Sequence, residues 1–188
     1  MRFASRKYYL GLLAFPLLLA SLLPVPSSPA EPPFKVSTVF FVRHAEKHIS
    51  PPDDPVLTTS GKTRAKNLAR ILNKAGIKAI LTSQFARTKE TARPLAEAIG
   101  VVPTTVSVEP DPSDPNKVSA ESIKKYVDRI GLHSGESVLV VGHTNTIPQI
   151  IGVLGGDTLP TISEAEFDKL FIVTRYRKDK AKVIQLEY

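Results

Sequence analysis

A chain of 188 residues, 42% apolar and without cysteine, suits one domain that rests on its own core, and it excludes thiol nucleophiles, disulfides and cysteine-bound zinc together. Without its first thirty residues it would still be long enough to bury about 70% of the unfolded chain's surface. The formal charge of +7 falls to +4 once Arg2, Arg6 and Lys7 are set aside; so mild an excess suits an anionic small substrate and does not support nucleic-acid binding.

The N-terminus reads as an address. A basic start leads into the apolar run Leu10–Leu23 and then to small residues ending in Ser28-Pro29-Ala30. This order predicts a signal peptide over 1–30, a linker over 31–35 and a domain over 36–188, hence a periplasmic or secreted protein with no stable membrane insertion after cleavage. The alternative is an uncleaved anchor. The run is short of the ~20 apolar residues of a spanning helix and is interrupted by Gly11 and Pro16.

The domain alternates strand and helix patterns. Val36–Val42 is an unbroken β-branched and aromatic run, as expected of a strand buried on both faces. A polar, proline-rich loop follows over 43–57. Thr59 or Ser60 is placed to cap a helix carrying Ala65, Leu68, Ala69, Leu72 and Ala75 on one face and ending at Gly76. Ile77–Leu81 is a second strand. Ala86–Ile99 is a second helix, with Pro94 inside and Gly100 after it. Val101–Val108 is extended and Glu109–Asn116 is a proline-rich loop. A third helix begins at Ser119 or Ala120, Ser137–Val141 is another buried strand, and Asn145–Leu154 a short helix. Leu170–Tyr176 and Lys182–Leu186 form a hairpin around Lys178-Asp179-Lys180. The order predicts a three-layer α/β sandwich, a mainly parallel central sheet flanked by helices.

Ligands of such sheets bind at the carboxyl ends of strands. Arg43 and His44 follow the first strand, Arg87 lies past the second, and His143 follows the strand Ser137–Val141. Planar guanidinium forks match phosphate oxygens, and a neutral imidazole can attack phosphorus. The set therefore predicts phosphoryl transfer that needs positioning and charge rather than a metal or cofactor.

At these residues the chain resembles the histidine phosphatase superfamily, with its phosphoglycerate-mutase-like fold. The matching features are Arg43-His44-Ala45, the segment Leu57-Thr58 with Gly61, the pattern Ser83, Arg87, Thr88, Thr91 and Ala92, and Gly142-His143. The compact size and the Arg-His-Ala-Glu form resemble its small phosphohistidine-phosphatase-like branch. The resemblance implies that His44 becomes phosphorylated while Arg43, Arg87 and His143 cradle the phosphate of a small phosphorylated substrate. Many members carry a glutamate acid after the second arginine, where this chain has Glu109, with Asp111 close behind.

Thr144, and Asn145 beside it, open a helix next to His143 and are candidates for a phosphate contact. Glu46 and Lys47 read as solvated loop charges. Two further functions stay open: a non-catalytic phosphate- or partner-binding member of the same fold, and a metal-dependent hydrolase using His44 and His48. Specificity is expected in the loops 45–58, 109–118 and 155–166.

Overall fold

The structure is a computed structural model that describes residues 34–156, 159 and 162–188, without the side chain of Pro115. The predicted signal peptide and most of the linker lie outside the described residues. Residues 33–188 form one compact unit, and its apolar clusters lie within it, so this unit carries its own core.

Among the described residues eight strands and four helices follow in the order β1 (Ser37–Arg43), α1 (Thr59–Leu72), β2 (Ile77–Thr82), α2 (Ala86–Ile99), β3 (Thr104–Thr105), β4 (Pro110–Asp111), β5 (Asp114–Val118), α3 (Ala120–Gly131), β6 (Ser137–Gly142), α4 (Thr146–Val153), β7 (Lys169–Arg177) and β8 (Lys180–Glu187). Six strands form one sheet in the order β3-β2-β6-β1-β7-β8. The first four are parallel; β7 and β8 run antiparallel. The alternation of side chains assigns each strand residue to a layer. Val39, Phe41, Val138 and Val140 join α3 and α4 in one apolar cluster, and Phe40, Val42, Leu139 and Val141 join α1 and α2 in the other. Burial on both faces explains why the central strands are continuous apolar runs. This is the three-layer sandwich expected from the order of elements.

Two local expectations change and a third holds. The cap of α1 is Thr58, one residue earlier than predicted: its hydroxyl accepts from the Gly61 N–H. The segment read as a loop over Glu109–Asn116 is the start of a small hairpin, β4 paired antiparallel with β5. Its prolines hid the strand pattern, and the isolated two-stranded sheet tolerates them because it is edge on both sides. Pro94 is accommodated inside α2, which ends at Gly100 in a left-handed conformation. That conformation suits glycine.

The crossovers position the site. From β1 the chain passes through α1 to β2, leaving a gap in the sheet, and returns through α3 to fill that gap with β6. The ends of β1 and β6 are thereby adjacent, with Arg43 paired to Gly142. The segment Leu57–Gly61 clamps the loop that follows β1. Lys47 and Leu57 form a β-bridge, the Thr58 N–H donates to the Glu46 carbonyl (2.9 Å), and the Leu57 N–H to the Glu90 carboxylate (2.8 Å). A β-carbon on Gly61 would stand 2.2 Å from the Glu46 carbonyl oxygen. Gly61→Ala should therefore destabilise the fold by about 1–3 kcal/mol, the usual cost of overpacking against a fixed partner. Thermal unfolding should show a melting temperature lower by several degrees; an unchanged one would mean that the loop yields freely.

Candidate active site

His44 leaves β1 and is buried. Its backbone N–H donates to the Gly142 carbonyl (3.0 Å), which ties it to β6. Its ring Nδ1 lies 2.9 Å from the Ala45 carbonyl. A carbonyl only accepts, so the ring proton sits on Nδ1 and the Nε2 lone pair is left free. Ala45 is held in turn: its N–H donates to the Thr91 hydroxyl (2.9 Å), which donates to the Arg87 carbonyl (2.7 Å).

His143 ends up beside His44, the ring centroids 5.4 Å apart in an edge contact. Its Nε2 lies 2.9 Å from the Ser83 hydroxyl, which also contacts the Thr88 hydroxyl (3.0 Å). When Ser83 donates to Nε2, the ring proton is on Nδ1 and is the free donor of His143. Gly142 before it sits close to α4, since a β-carbon would meet the Ile147 side chain at 3.1 Å.

Both histidines are held below the ordinary range. Burial lowers His44 to about 4 and outweighs the hydrogen bond to Ala45, with Arg43, Arg87 and Lys47 adding repulsion. Burial lowers His143 to about 3, with His44 and the same two arginines adding to it. Repulsion by the arginines is secondary to desolvation for both rings.

The arginines lie on aromatic rings. The Arg43 guanidinium stands 4.1 Å from the Phe167 centroid and that of Arg87 4.2 Å from Phe85. Stacking of this kind suits a guanidinium that has lost water. Arg43 is enclosed by the segment before β7. Its Nη1 donates to the carbonyls of Ser163, Glu164 and Glu166, and its Nη2 to the Glu164 carboxylate. Arg87 faces Asp54 at 3.9 Å, and Asp54 also accepts from the Ala86 N–H at the start of α2. The Nε atoms of both arginines are buried and have no partner among the described residues.

These four residues line one cavity of about 300 Å³. Each of the three loops expected to carry specificity sends a charged side chain to its wall: Lys47, Lys117 and Glu164. Glu109 is there too. The Gln84 side chain bonds both the N–H and the carbonyl of Val108 (2.9 Å each), which fixes the backbone before Glu109. Asp111 is not part of the wall; its carboxylate accepts from the Ser113 N–H (2.8 Å) and hydroxyl (2.6 Å). Thr144 reaches the wall, but its hydroxyl donates to the Glu164 carboxylate (2.9 Å).

Two residues were misjudged from the sequence. Lys47 is on the cavity wall rather than merely solvated. Glu46 is fixed by the Arg64 guanidinium through contacts of 2.8–3.1 Å; burial raises its carboxyl, and the Arg64 bonds win and hold it below the usual range. Glu164 was missed altogether. Nothing local marks it, because the fold brings it across from the segment before β7. His48 is exposed, and the backbone from His44 to His48 is not helical, so their spacing does not set them on one face. Among the described residues no group of three or more His, Asp or Glu could hold a metal ion.

Residues 39–113 match the model of the histidine phosphatase superfamily, branch 1. Over 68 residues the chain is 37% identical to a probable phosphoglycerate mutase, GpmB, of Serratia proteamaculans, covering 33% of this chain and 32% of that protein. The chain thus matches about a third of the length of that relative. The fold is like that of a phosphoglycerate mutase from Bacillus anthracis: the TM-score is 0.63 at 18% identity, over 81% of this chain and 93% of that one. It is also like the protein histidine phosphatase SixA complexed with tungstate, with a TM-score of 0.60 at 18% identity over 80% and 96%.

The depressed imidazoles are directly measurable. By NMR the ring signals of His44 and His143 should remain those of neutral imidazole from pH 8 down to about 5. Because the unfolded rings take up protons near 6.5 and the folded ones do not, the stability from this source is complete above about 6.5 and is lost as pH falls towards 4. Titration of either ring near 6.5 in the folded protein would show that the pocket is wetter than its burial implies.

Proposed function

Because the chain belongs to the histidine phosphatase superfamily, whose members are phosphatases or mutases using a histidine, we propose that it is an exported, metal-independent phosphomonoesterase that works through a phosphohistidine on His44. The observation that carries the reading is the free Nε2 of a neutral His44 on a cavity wall shared with Arg43, Arg87 and His143.

In this reading the phosphate dianion seats between the two guanidinium groups and His143, and Glu164 gives up Arg43 Nη2 as it enters. The Nε2 lone pair attacks phosphorus. The P–N bond forms as the bond to the leaving oxygen breaks, and the charge spread over the phosphoryl oxygens is met by groups already in place. Glu109 gives a proton to the leaving oxygen, then takes one from the water that attacks the phosphohistidine, which releases phosphate and restores His44. Thr144 holds the Glu164 carboxylate that gives way to the phosphate. Hydrolysis rather than transfer to a second hydroxyl is favoured by the open rim, where Glu164 is 80% and Lys117 66% exposed, so water has access. Export rests on the signal-like first thirty residues.

His44→Ala should abolish turnover of a model phosphoester while phosphate still binds. Brief exposure of the wild type to labelled substrate should leave an acid-labile, base-stable label on His44. Arg87→Lys, which keeps charge but loses the fork, should lower kcat/KM by about 10²-fold. On the acid side kcat/KM should fall through about pH 4, where free His44 takes up a proton. Vanadate should inhibit and a chelator should not. Turnover by His44→Ala, or a label on another residue, would refute the mechanism.

The Glu164 contact yields a separate expectation. Glu164→Ala removes the carboxylate that competes for Arg43, so calorimetry should find inorganic phosphate bound several-fold more tightly. Weaker binding would mean that Glu164 holds Arg43 in its working position instead.

A further inference from the structure

The edge of the sheet opposite the cavity carries an excess of positive charge, although Asp179 and Glu136 are exposed there as well. β7 runs antiparallel to β1, with Leu170 beside Val42 and Arg175 beside Ser37. The β7–β8 turn therefore lies at the start of β1, a strand's length from His44. Arg177, Lys178, Lys180 and Lys182 are exposed on this hairpin, whose turn holds one acid, Asp179. Lys35 is exposed at the same edge, packed along Gly135, and Lys78 is exposed at the start of β2. Among the described residues none of these six cations forms an ion pair.

Two rings mark the same corner. Tyr176 is 47% exposed, and Phe34 is 38% exposed with the Arg175 guanidinium 5.5 Å from its centroid. Half-exposed aromatics beside cations are what a bilayer's headgroup region accommodates. Phe34 is also where the chain enters the domain. Between Phe34 and Leu23, the last residue of the apolar run, the covalent chain spans at most about 40 Å.

We propose that this basic corner docks on anionic phospholipid headgroups and holds the domain against a membrane with the cavity facing away from the bilayer. A solvated charged face is the ordinary fate of lysines, but here like charges are gathered at the corner from which an apolar segment departs. If that segment stays attached, it and the hairpin engage one surface; if it is cleaved, the hairpin makes a peripheral contact. Each basic residue close to an anionic surface strengthens attachment roughly five-fold, so the hairpin's four give at most a few hundred-fold, a reversible hold. Such a hold weakens as salt shortens the screening length. Nucleic acid fits less well, because the cations form a short corner with rings between them rather than a track along a strand.

The unit beginning at Pro33 carries its own core and is tested by itself, by sedimentation with vesicles of phosphatidylcholine alone or with a third phosphatidylglycerol. The unit should prefer the anionic vesicles at least ten-fold, and molar salt should remove the preference. The triple change Arg177→Glu, Lys178→Glu and Lys180→Glu should remove it too, with hydrolysis of a soluble phosphoester unchanged. Salt dependence is read on the unaltered unit, so misfolding of the variant would not obscure the answer. Equal binding to both vesicles, a preference that survives molar salt, or a single-stranded oligonucleotide that outcompetes the anionic vesicles would overturn the proposal. The vesicle-binding readouts need no turnover by His44, so failure here and failure of the proposed mechanism are separate results.

Discussion

The parallel pairing of β1 with β6 is the constraint on which the site depends. Its register sets Arg43 opposite Gly142 and continues one residue further, where the His44 N–H meets the Gly142 carbonyl. Since the register of a strand fixed in a two-sided core cannot slip without turning every side chain to the wrong layer, the two histidines are held side by side by the whole core. Gly142 adds a further condition, as a β-carbon there would crowd the Ile147 side chain of α4 at 3.1 Å.

Burial does two opposed things in the cavity. It strips protons from His44 and His143, which leaves them neutral and, for His44, leaves a lone pair on Nε2. It also costs the two arginines their water. Desolvation is the largest influence on each, and it disfavours their charge. The fold compensates with aromatic faces, three backbone carbonyls on Arg43, and the carboxylates of Glu164 and Asp54. Those carboxylates are the exposed partners, so an entering anion displaces a solvated group rather than a buried one.

Much of the motif surrounding the site is scaffolding with a readable purpose. Ser83 and Thr88 fix His143 to the start of α2, Thr91 reaches across to Ala45, and Gly61 lets α1 close on the Glu46 carbonyl. Each is a hydrogen bond or a close approach made by a residue that does not itself line the cavity.

The amino-acid sequence by itself determined the alternation of strands and helices, because burial on two faces or one is written in local periodicity. It also pointed to Arg43, His44, Arg87 and His143, since few residue types serve an oxyanion and all four follow strand ends. What only the tertiary structure decided was adjacency. That β6 enters between β1 and β2, that Glu109 rather than Asp111 reaches the cavity, that Glu164 arrives on Arg43 and that the cations of the β7–β8 hairpin gather at the opposite edge depend on which elements pack together. Periodicity records how each segment divides its own faces between core and water; it holds no record of which distant segment supplies the other side.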